Sequence, residues 1–146
     1  MNTPFTAEEI RDNCPPGRTV VTRTSTPGTE PTQTTSRFVE CDDHGARMTW
    51  VTHGPDGTVL GEGSEHATWE ELRRHAAFPD DRTTVAEATI STTLGECRCR
   101  HYRVVTDDTA REFWFDTARP GMPILVVETR PDGTEVRTEV VEDRVD

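Results

Sequence analysis

The sequence predicts a mainly β protein of the α+β class, in which a curved antiparallel sheet or half-barrel of about nine strands carries two short helices. Most segments are rich in β-branched and aromatic residues and are separated by turn residues. Strands do not alternate with helices, which argues against a parallel nucleotide-binding sheet. The chain of 146 residues has the size of one domain, so we predict residues 1–146 as a single domain, with a plain α+β sandwich as the alternative fold.

The first predicted element is a helix. Thr6 and Glu9 form a capping box, and Phe5 can pack on Ile10 as a hydrophobic staple. The Pro-Pro-Gly sequence at residues 15–17 cannot continue a helix, so the helix is short.

A meander of four strands follows the first helix. The strands are predicted at residues 19–25, 33–41, 46–53 and 58–63. The polar stretch TSTPGTEPT, residues 24–32, predicts an exposed loop. Turn residues at 42–45 and 54–57 separate the later strands.

A second capping box, formed by Thr68 and Glu71, opens the segment TWEELRRHAAF. Trp69, Leu72 and Ala76 fall on one face at helical spacing, which favours a helix packed on a sheet and ended by Pro79. Five more strands are predicted at residues 83–93, 96–106, 111–117, 123–130 and 134–142. Pro-Asp-Gly occurs at 55–57 and again at 131–133, which predicts two tight hairpins.

The net charge of the chain limits the classes of molecule that it can bind. The net charge is −11, and all 16 basic residues are arginines. Such a surface repels phosphate backbones, so no nucleic acid partner is expected. The chain shows no signal peptide and no apolar run of about 18 residues, so we expect no membrane insertion and a cytoplasmic location. In that compartment the four cysteines are expected to be reduced.

Cys97, Cys99 and His101 alternate along one predicted strand and therefore share a face. Cysteine and histidine are zinc ligands, which makes these three residues candidates for a metal site. Alternate side chains on a flat strand stand about 7 Å apart, however, which is wide for sulfurs that share one ion. We therefore predict no metal, and we interpret the two cysteines as small buried hydrophobes on the concave face.

The sequence contains no motif of a catalytic site. The five histidines are scattered: His44 is predicted in a turn, His66 in the loop before the second helix and His75 on that helix. We therefore predict no catalytic residues and no cofactor. An enzyme that uses His53 or His101 as a base remains an alternative, with Asp56 as the orienting partner of His53.

The aromatic residues suggest a binding site. Hydrophobic residues make up 32% of the chain, below the roughly 45–50% of typical domains, which predicts a thin core or one wrapped around a cavity. The rings of residues 113–115 point to both faces of one strand and, with other aromatic residues, can line an apolar pocket or fill an ordinary core. The predicted ligand-binding residues are Trp50, Tyr102, Phe113, Trp114, Phe115 and Met122.

The last part of the chain also resembles a known family. From residue 83 onward, a Gly-then-Cys strand, an aromatic strand, a Pro-Gly corner and a final hairpin follow one another. The matching positions are Gly95, Cys99, Tyr102, Trp114, Phe115, Pro120, Gly121 and Pro123. In this pattern residues 83–142 resemble bacterial lipoprotein-carrier-like domains. The resemblance implies a curved antiparallel half-barrel around an apolar cavity; those carriers are exported, whereas this chain shows no export signal.

The leading functional prediction is a non-enzymatic domain that binds an apolar small molecule or acyl chain in a concave, aromatic-lined sheet. Two alternatives remain open. One is an enzyme of a specialised pathway with a histidine in the cavity, and the other is a module that binds protein through an exposed strand edge. The second alternative includes a homodimer.

Overall fold

The computed structural model describes residues 3–146, and these residues form one sheet of nine strands with two short helices. The helices are α1 (Ala7–Asn13) and α2 (Trp69–Arg74), and a 3-10 turn spans Asp80–Arg82. The strands are β1 (Arg18–Ser25), β2 (Thr32–Cys41), β3 (Gly45–His53), β4 (Val59–Thr68), β5 (Thr83–Thr92), β6 (Gly95–Val105), β7 (Ala110–Asp116), β8 (Leu125–Thr129) and β9 (Glu135–Val145).

The spatial order of the strands is β4-β3-β2-β1-β9-β8-β7-β6-β5, and every neighbouring pair is antiparallel. Two meanders, β1 to β4 and β5 to β9, therefore meet at the pairing of β1 with β9. Strands β4 and β5 form the two edges of an open sheet. The predicted fold class, mainly β with a curved antiparallel sheet and two short helices, is confirmed, and the sheet is not a closed barrel.

The segment that joins β4 to β5 connects the two edges of the sheet, because these strands are the first and last in the spatial order. Helix α2 lies in this segment and packs against α1. Both predicted capping boxes are present: the side chains of Thr6 and Thr68 accept hydrogen bonds from the backbone N–H of Glu9 and Glu71 at 3.1 Å.

Strand β4 is longer than the sequence predicts. It continues to Thr68 because the backbone stays paired with β3, with Gly45 opposite Thr68. The prediction that His66 lies in a loop is wrong, since His66 is part of β4 and pairs with Arg47. Pairing with a neighbouring strand outweighs the low strand propensity of the sequence SEHAT.

Two clusters of buried side chains form the core. The first joins both helices to the sheet and consists of Phe5, Ile10, Cys14, Ala46, Trp69, Tyr102 and Phe115. The second consists of Val20, Cys97, Cys99, Ile124 and Val140, with Trp114 packed against it. The indole of Trp69 donates a hydrogen bond to the backbone oxygen of Asp42 at 2.8 Å, which holds α2 against the turn before β3. Within residues 3–146, neither helix is long and apolar enough to cross a membrane.

Candidate ligand-binding site

A cavity of about 390 Å³ lies between the sheet and the helices. Its helical side is formed by Ile10 of α1, by Leu72 of α2 and by the chain that follows α2 as far as Phe78. Its sheet side is formed by residues of β1, β2, β3, β4 and β7, and the corner at residues 121–123 completes it. Both meanders therefore contribute to one cavity.

The strand register explains which side chains face the cavity. Phe38 of β2 lies opposite Met48 of β3, and Ser36 lies opposite Trp50. Val20 of β1 lies opposite Ser36. Side chains directly opposite each other in an antiparallel pair point to the same face, so these five residues share the face that the helices cover.

Four of the six predicted ligand-binding residues line this cavity: Trp50, Phe113, Phe115 and Met122. Tyr102 lies behind them in the core, with its ring centroid 5.5 Å from that of Phe115. The ring of Phe78 stacks on Phe113 at 4.7 Å and so joins the segment after α2 to β7. Whether the four lining residues bind a ligand stays a prediction.

Trp114 does not line the cavity, which corrects the expectation that it lies within reach of the same pocket as Trp50 and Phe115. It sits between Phe113 and Phe115 on β7, so its side chain points to the opposite face of the sheet. There it stacks on His101 with ring centroids 4.3 Å apart and an interplanar angle of 7°.

The cavity has a buried, mainly apolar floor and a more exposed rim. Cys14, Val20 and Phe115 are at most 2% exposed, whereas Trp50 is 36% and Met122 37% exposed. Two other lining residues, Glu65 of β4 and His75 after α2, are also exposed. A ligand in this cavity would therefore bury one end among apolar groups and keep the other near charged and polar side chains.

The indole of Trp50 lies flat over the edge strand. Gly63 is directly opposite Trp50 in the register, and a Cβ atom at position 63 would lie 2.9 Å from indole atoms Cζ2 and Nε1. The missing side chain thus gives the indole its space. The sequence reading identified Trp50 but not the glycine that positions it.

One buried cation lines the floor, and sequence reasoning missed it. The guanidinium of Arg18 pairs with Asp143, with Nε 3.1 Å from Oδ1 and Nη2 2.7 Å from Oδ2. Its Nη1 donates to the backbone oxygens of Pro120 at 2.6 Å and Asn13 at 3.0 Å, and lies 3.2 Å from the sulfur of Cys14. Every guanidinium nitrogen is therefore engaged by protein groups.

The two cysteines of β6 are buried, as expected, and pack in one cluster with Val20, which lines the cavity, although neither cysteine lines it. Cys99 lies opposite Asp116 of β7 and so shares a face with Trp114 rather than with Phe113 and Phe115. Burial, with a smaller contribution from Asp116, raises the pKa of the Cys99 thiol to about 11. Among residues 3–146, no group of three or more potential ligands, including Cys97, Cys99 and His101, is placed to hold a metal ion.

The histidines proposed as bases lie outside the cavity. His53 lines a separate polar depression with Arg23 and Glu30. His101 lies on the opposite face, where its Nε2 is 3.2 Å from Oε1 of Glu112 without forming a hydrogen bond. Only His75 among the five described histidines lines the cavity, and sequence reasoning gave it no role.

No family model and no curated protein matches the chain. Solved structures do match. A protein with a YmcC-like fold from Bacteroides fragilis superposes with a TM-score of 0.60 at 10% identity, covering 89% of this chain and 96% of that chain. A chain from the complex of Pseudomonas aeruginosa MucA and MucB gives a TM-score of 0.64 at 11% identity, covering 94% of this chain and 53% of that chain.

This chain therefore spans about half the length of the matched chain from the MucA/MucB complex. A LolA superfamily protein from Nitrosomonas europaea also matches over 97% of this chain, with a TM-score of 0.28 and 6% identity. At such identities the comparisons show the fold alone. The match to the YmcC-like structure, together with the open antiparallel sheet, confirms the resemblance predicted from residues 83–142 as a likeness of fold.

Proposed function

We propose that the protein is a non-enzymatic binding domain that takes an apolar small molecule or a single acyl chain into the cavity between the sheet and the helices. The observation that carries this proposal is the cavity of about 390 Å³, whose lining is mainly apolar. Small-molecule sites commonly enclose about 300–1,000 Å³, so the volume suits one ligand of modest size.

The lining residues supply a driving force. The lining includes Ile10, Leu72 and Phe78 on the helical side and Phe38, Phe113 and Phe115 on the sheet side. Removing apolar ligand surface from water is favourable by roughly 25 cal/mol per Å² before the losses of association are subtracted. One charged side chain, Arg18, lies at the floor of the cavity, and its charge is compensated by Asp143.

The proposal can be tested by filling the cavity. Ser36 lines the cavity on β2, and its neighbour Thr35 points to the other face and is similarly half-buried. We expect Ser36→Phe to weaken binding of a fluorescent fatty-acyl probe by about tenfold or more, since the new ring occupies the ligand volume. Titration of the probe measures the dissociation constant.

The matched control is Thr35→Phe, which adds the same ring to the opposite face of the same strand. We expect its affinity for the probe to equal that of the unmodified protein. Equal affinity of both variants, or absence of probe binding by the unmodified protein, contradicts the proposal. Native mass spectrometry of the freshly purified protein tests it independently, because a retained apolar molecule adds its mass.

A second candidate function is binding of protein through a strand edge. Strand β5 is an edge of the sheet, most of its residues are exposed, and Glu87 is its only charged residue. Long edges without protecting charges pair readily with other strands. The structure of a MucA/MucB complex, built on a similar fold, supports a protein-binding role in general terms.

The remaining predictions about context stay predictions. A cytoplasmic location and the lack of a nucleic acid partner rest on the sequence pattern and on the net charge of −11. The alternative of an enzyme is not supported by the two histidines named as its bases, because His53 and His101 do not line the cavity.

A further inference from the structure

We propose that the cavity prefers apolar molecules that carry a cationic group, such as an alkylammonium ion, over those that carry a carboxylate. The cation would sit at the rim between Trp50 and Glu65, and the alkyl chain would extend toward Phe113 and Phe115. This inference rests on the proposed function, because it assigns the chemistry of the ligand that the cavity would hold.

Trp50 and Glu65 form a pair suited to a cation. Glu65 lies opposite Met48, and Gly63 lies opposite Trp50, so the glutamate is the diagonal neighbour of the tryptophan on the same face. Diagonal neighbours in an antiparallel sheet are about 7–8 Å apart, within reach of long side chains. A cation within about 6 Å of an indole ring is attracted by the ring, and a carboxylate beside it adds a charge of opposite sign.

Both residues are available to a ligand. Trp50 is 36% exposed, and its indole covers the backbone at Gly63, so one ring face is used by the protein and the other remains. Glu65 is exposed and lines the cavity. Across residues 3–146, no hydrogen bond or ion pair engages its carboxylate.

The cations in the lining are, in contrast, already engaged. Arg18 is bound by Asp143 and by backbone oxygens at the buried end. The side chain of Arg37 points to the other face of β2, where its guanidinium is 2.6 Å from Asp146 and 3.4 Å from the hydroxyl of Thr19. A ligand carboxylate would therefore lose its hydration without gaining an arginine partner, while approaching the charge of Glu65.

Besides Glu65 and the two arginines, the titratable side chains of the lining are those of Cys14 and His75. A charged imidazole at the rim would weaken the attraction of a cation, whereas the Cys14 thiol is uncharged because burial raises its pKa. The comparison of ligands therefore belongs at about pH 8, where imidazole side chains ordinarily carry no charge.

The experiment compares three ligands of equal chain length below their micelle concentrations: dodecyltrimethylammonium, dodecanol and dodecanoate. We expect the cation to bind about tenfold more tightly than dodecanoate, in line with the combined attraction of one ring and one carboxylate. Glu65→Gln should remove most of this preference by weakening the binding of the cation. Trp50→Leu should reduce the preference and also weaken the binding of all three ligands, because the indole lines the cavity. Thermal melting checks that both variants are folded.

Glu62→Gln is the matched control, because Glu62 is an exposed glutamate of the same strand that lies opposite Val51 and points to the other face. It removes the same charge, so a preference that arises only from the net charge of −11 would fall equally in Glu62→Gln and Glu65→Gln and overturn the inference. Equal binding of all three ligands would also overturn it, while leaving the proposed function standing. If none of the three binds, the proposed function itself fails.

Discussion

Trp50 illustrates how a single absent side chain shapes the site. Its indole covers Gly63 of the edge strand at a distance that no real Cβ atom would tolerate. Gly61, two residues earlier on the same face, leaves ordinary contact distances of 3.6–3.7 Å to the same indole. A Cβ atom would therefore clash with the indole at position 63 but not at position 61, although both glycines lie in β4.

This difference predicts the outcome of two alanine substitutions. Gly63→Ala should lower the free energy of unfolding by about 1–3 kcal/mol, because the new methyl group forces the indole to move. Gly61→Ala should be neutral or slightly stabilising, since it reduces the freedom of the unfolded chain without a clash. Urea unfolding measures both values, and a Gly63→Ala variant as stable as Gly61→Ala would show that the indole is not held against the strand.

At the same scale, the sequence identified four of the residues that line the cavity and could not place Trp114 correctly. Because β7 has three consecutive aromatic residues, both of its faces are partly apolar. The sequence therefore does not show which of these side chains point toward the helices. Trp114 packs against the second core cluster, which contains Cys97 and Cys99, so its side of β7 is partly buried as well. Only the partner strands decide which face the helices cover.

At the scale of elements, Arg18 connects parts of the chain that are distant in sequence. Its guanidinium joins β1 to Asp143 of β9, to the end of α1 through the oxygen of Asn13, and to the corner at Pro120. The ion pair is nearly buried, with side chains 5% and 8% exposed. No local pattern in the sequence distinguishes this arginine from the other fifteen, because its partners come from other elements.

Removal of the carboxylate from this pair should be costly. Asp143→Asn leaves Arg18 buried without its counter-charge, and we expect a loss of about 3 kcal/mol or more in the free energy of unfolding. Arg23 and Glu139 form a comparable ion pair between the same two strands, but with side chains 41% and 21% exposed. Glu139→Gln should therefore lower the stability by no more than about 1 kcal/mol. Chemical denaturation of both variants compares the pairs, and equal losses would contradict the role assigned to burial.

The element boundaries follow largely from the sequence. Capping boxes, prolines and Pro-Asp-Gly turns are local signals, and the helices, strands and hairpins they predict are present. The end of β4 was missed because residues 64–68 stay in the strand only through their pairing with β3. Local sequence signals predict where a strand begins more readily than how far pairing with a neighbouring strand extends it.

At the scale of the whole molecule, the sheet is open and has two free edges, β4 and β5. Apolar side chains remain exposed along them, among them Val59, Leu60 and Val85, which are 51%, 62% and 51% exposed. An open edge of this kind is the basis of the second candidate function, in which a homodimer pairs through β5.

A charge on the edge tests this assembly. If the protein is a dimer by light scattering, Val85→Lys on β5 should convert it to a monomer, because a lysine disfavours edge pairing. Val105→Lys is the control, since Val105 is 41% exposed but lies on β6, which has neighbours on both sides. A monomeric unmodified protein, or a dimer that persists in Val85→Lys, excludes a homodimer that pairs through this strand.

The order of the nine strands was the part of the architecture least accessible to the sequence. Hairpins connect most neighbours, so their pairing follows from short turns. The contact between β1 and β9 joins residues more than a hundred positions apart, and no turn encodes it. The sequence therefore predicted one meander of four strands and five further strands, but not the pairing that joins these two halves.

The pairing of β1 with β9 has a kinetic consequence. Closing a loop of this length is entropically unfavourable, so the hairpins are expected to form before β1 finds β9. Residues of both meanders line the cavity, so the binding site is incomplete until β1 pairs with β9. A bound ligand would therefore stabilise the contact between the two halves of the chain. It should slow their separation and leave the rate at which each hairpin forms unchanged.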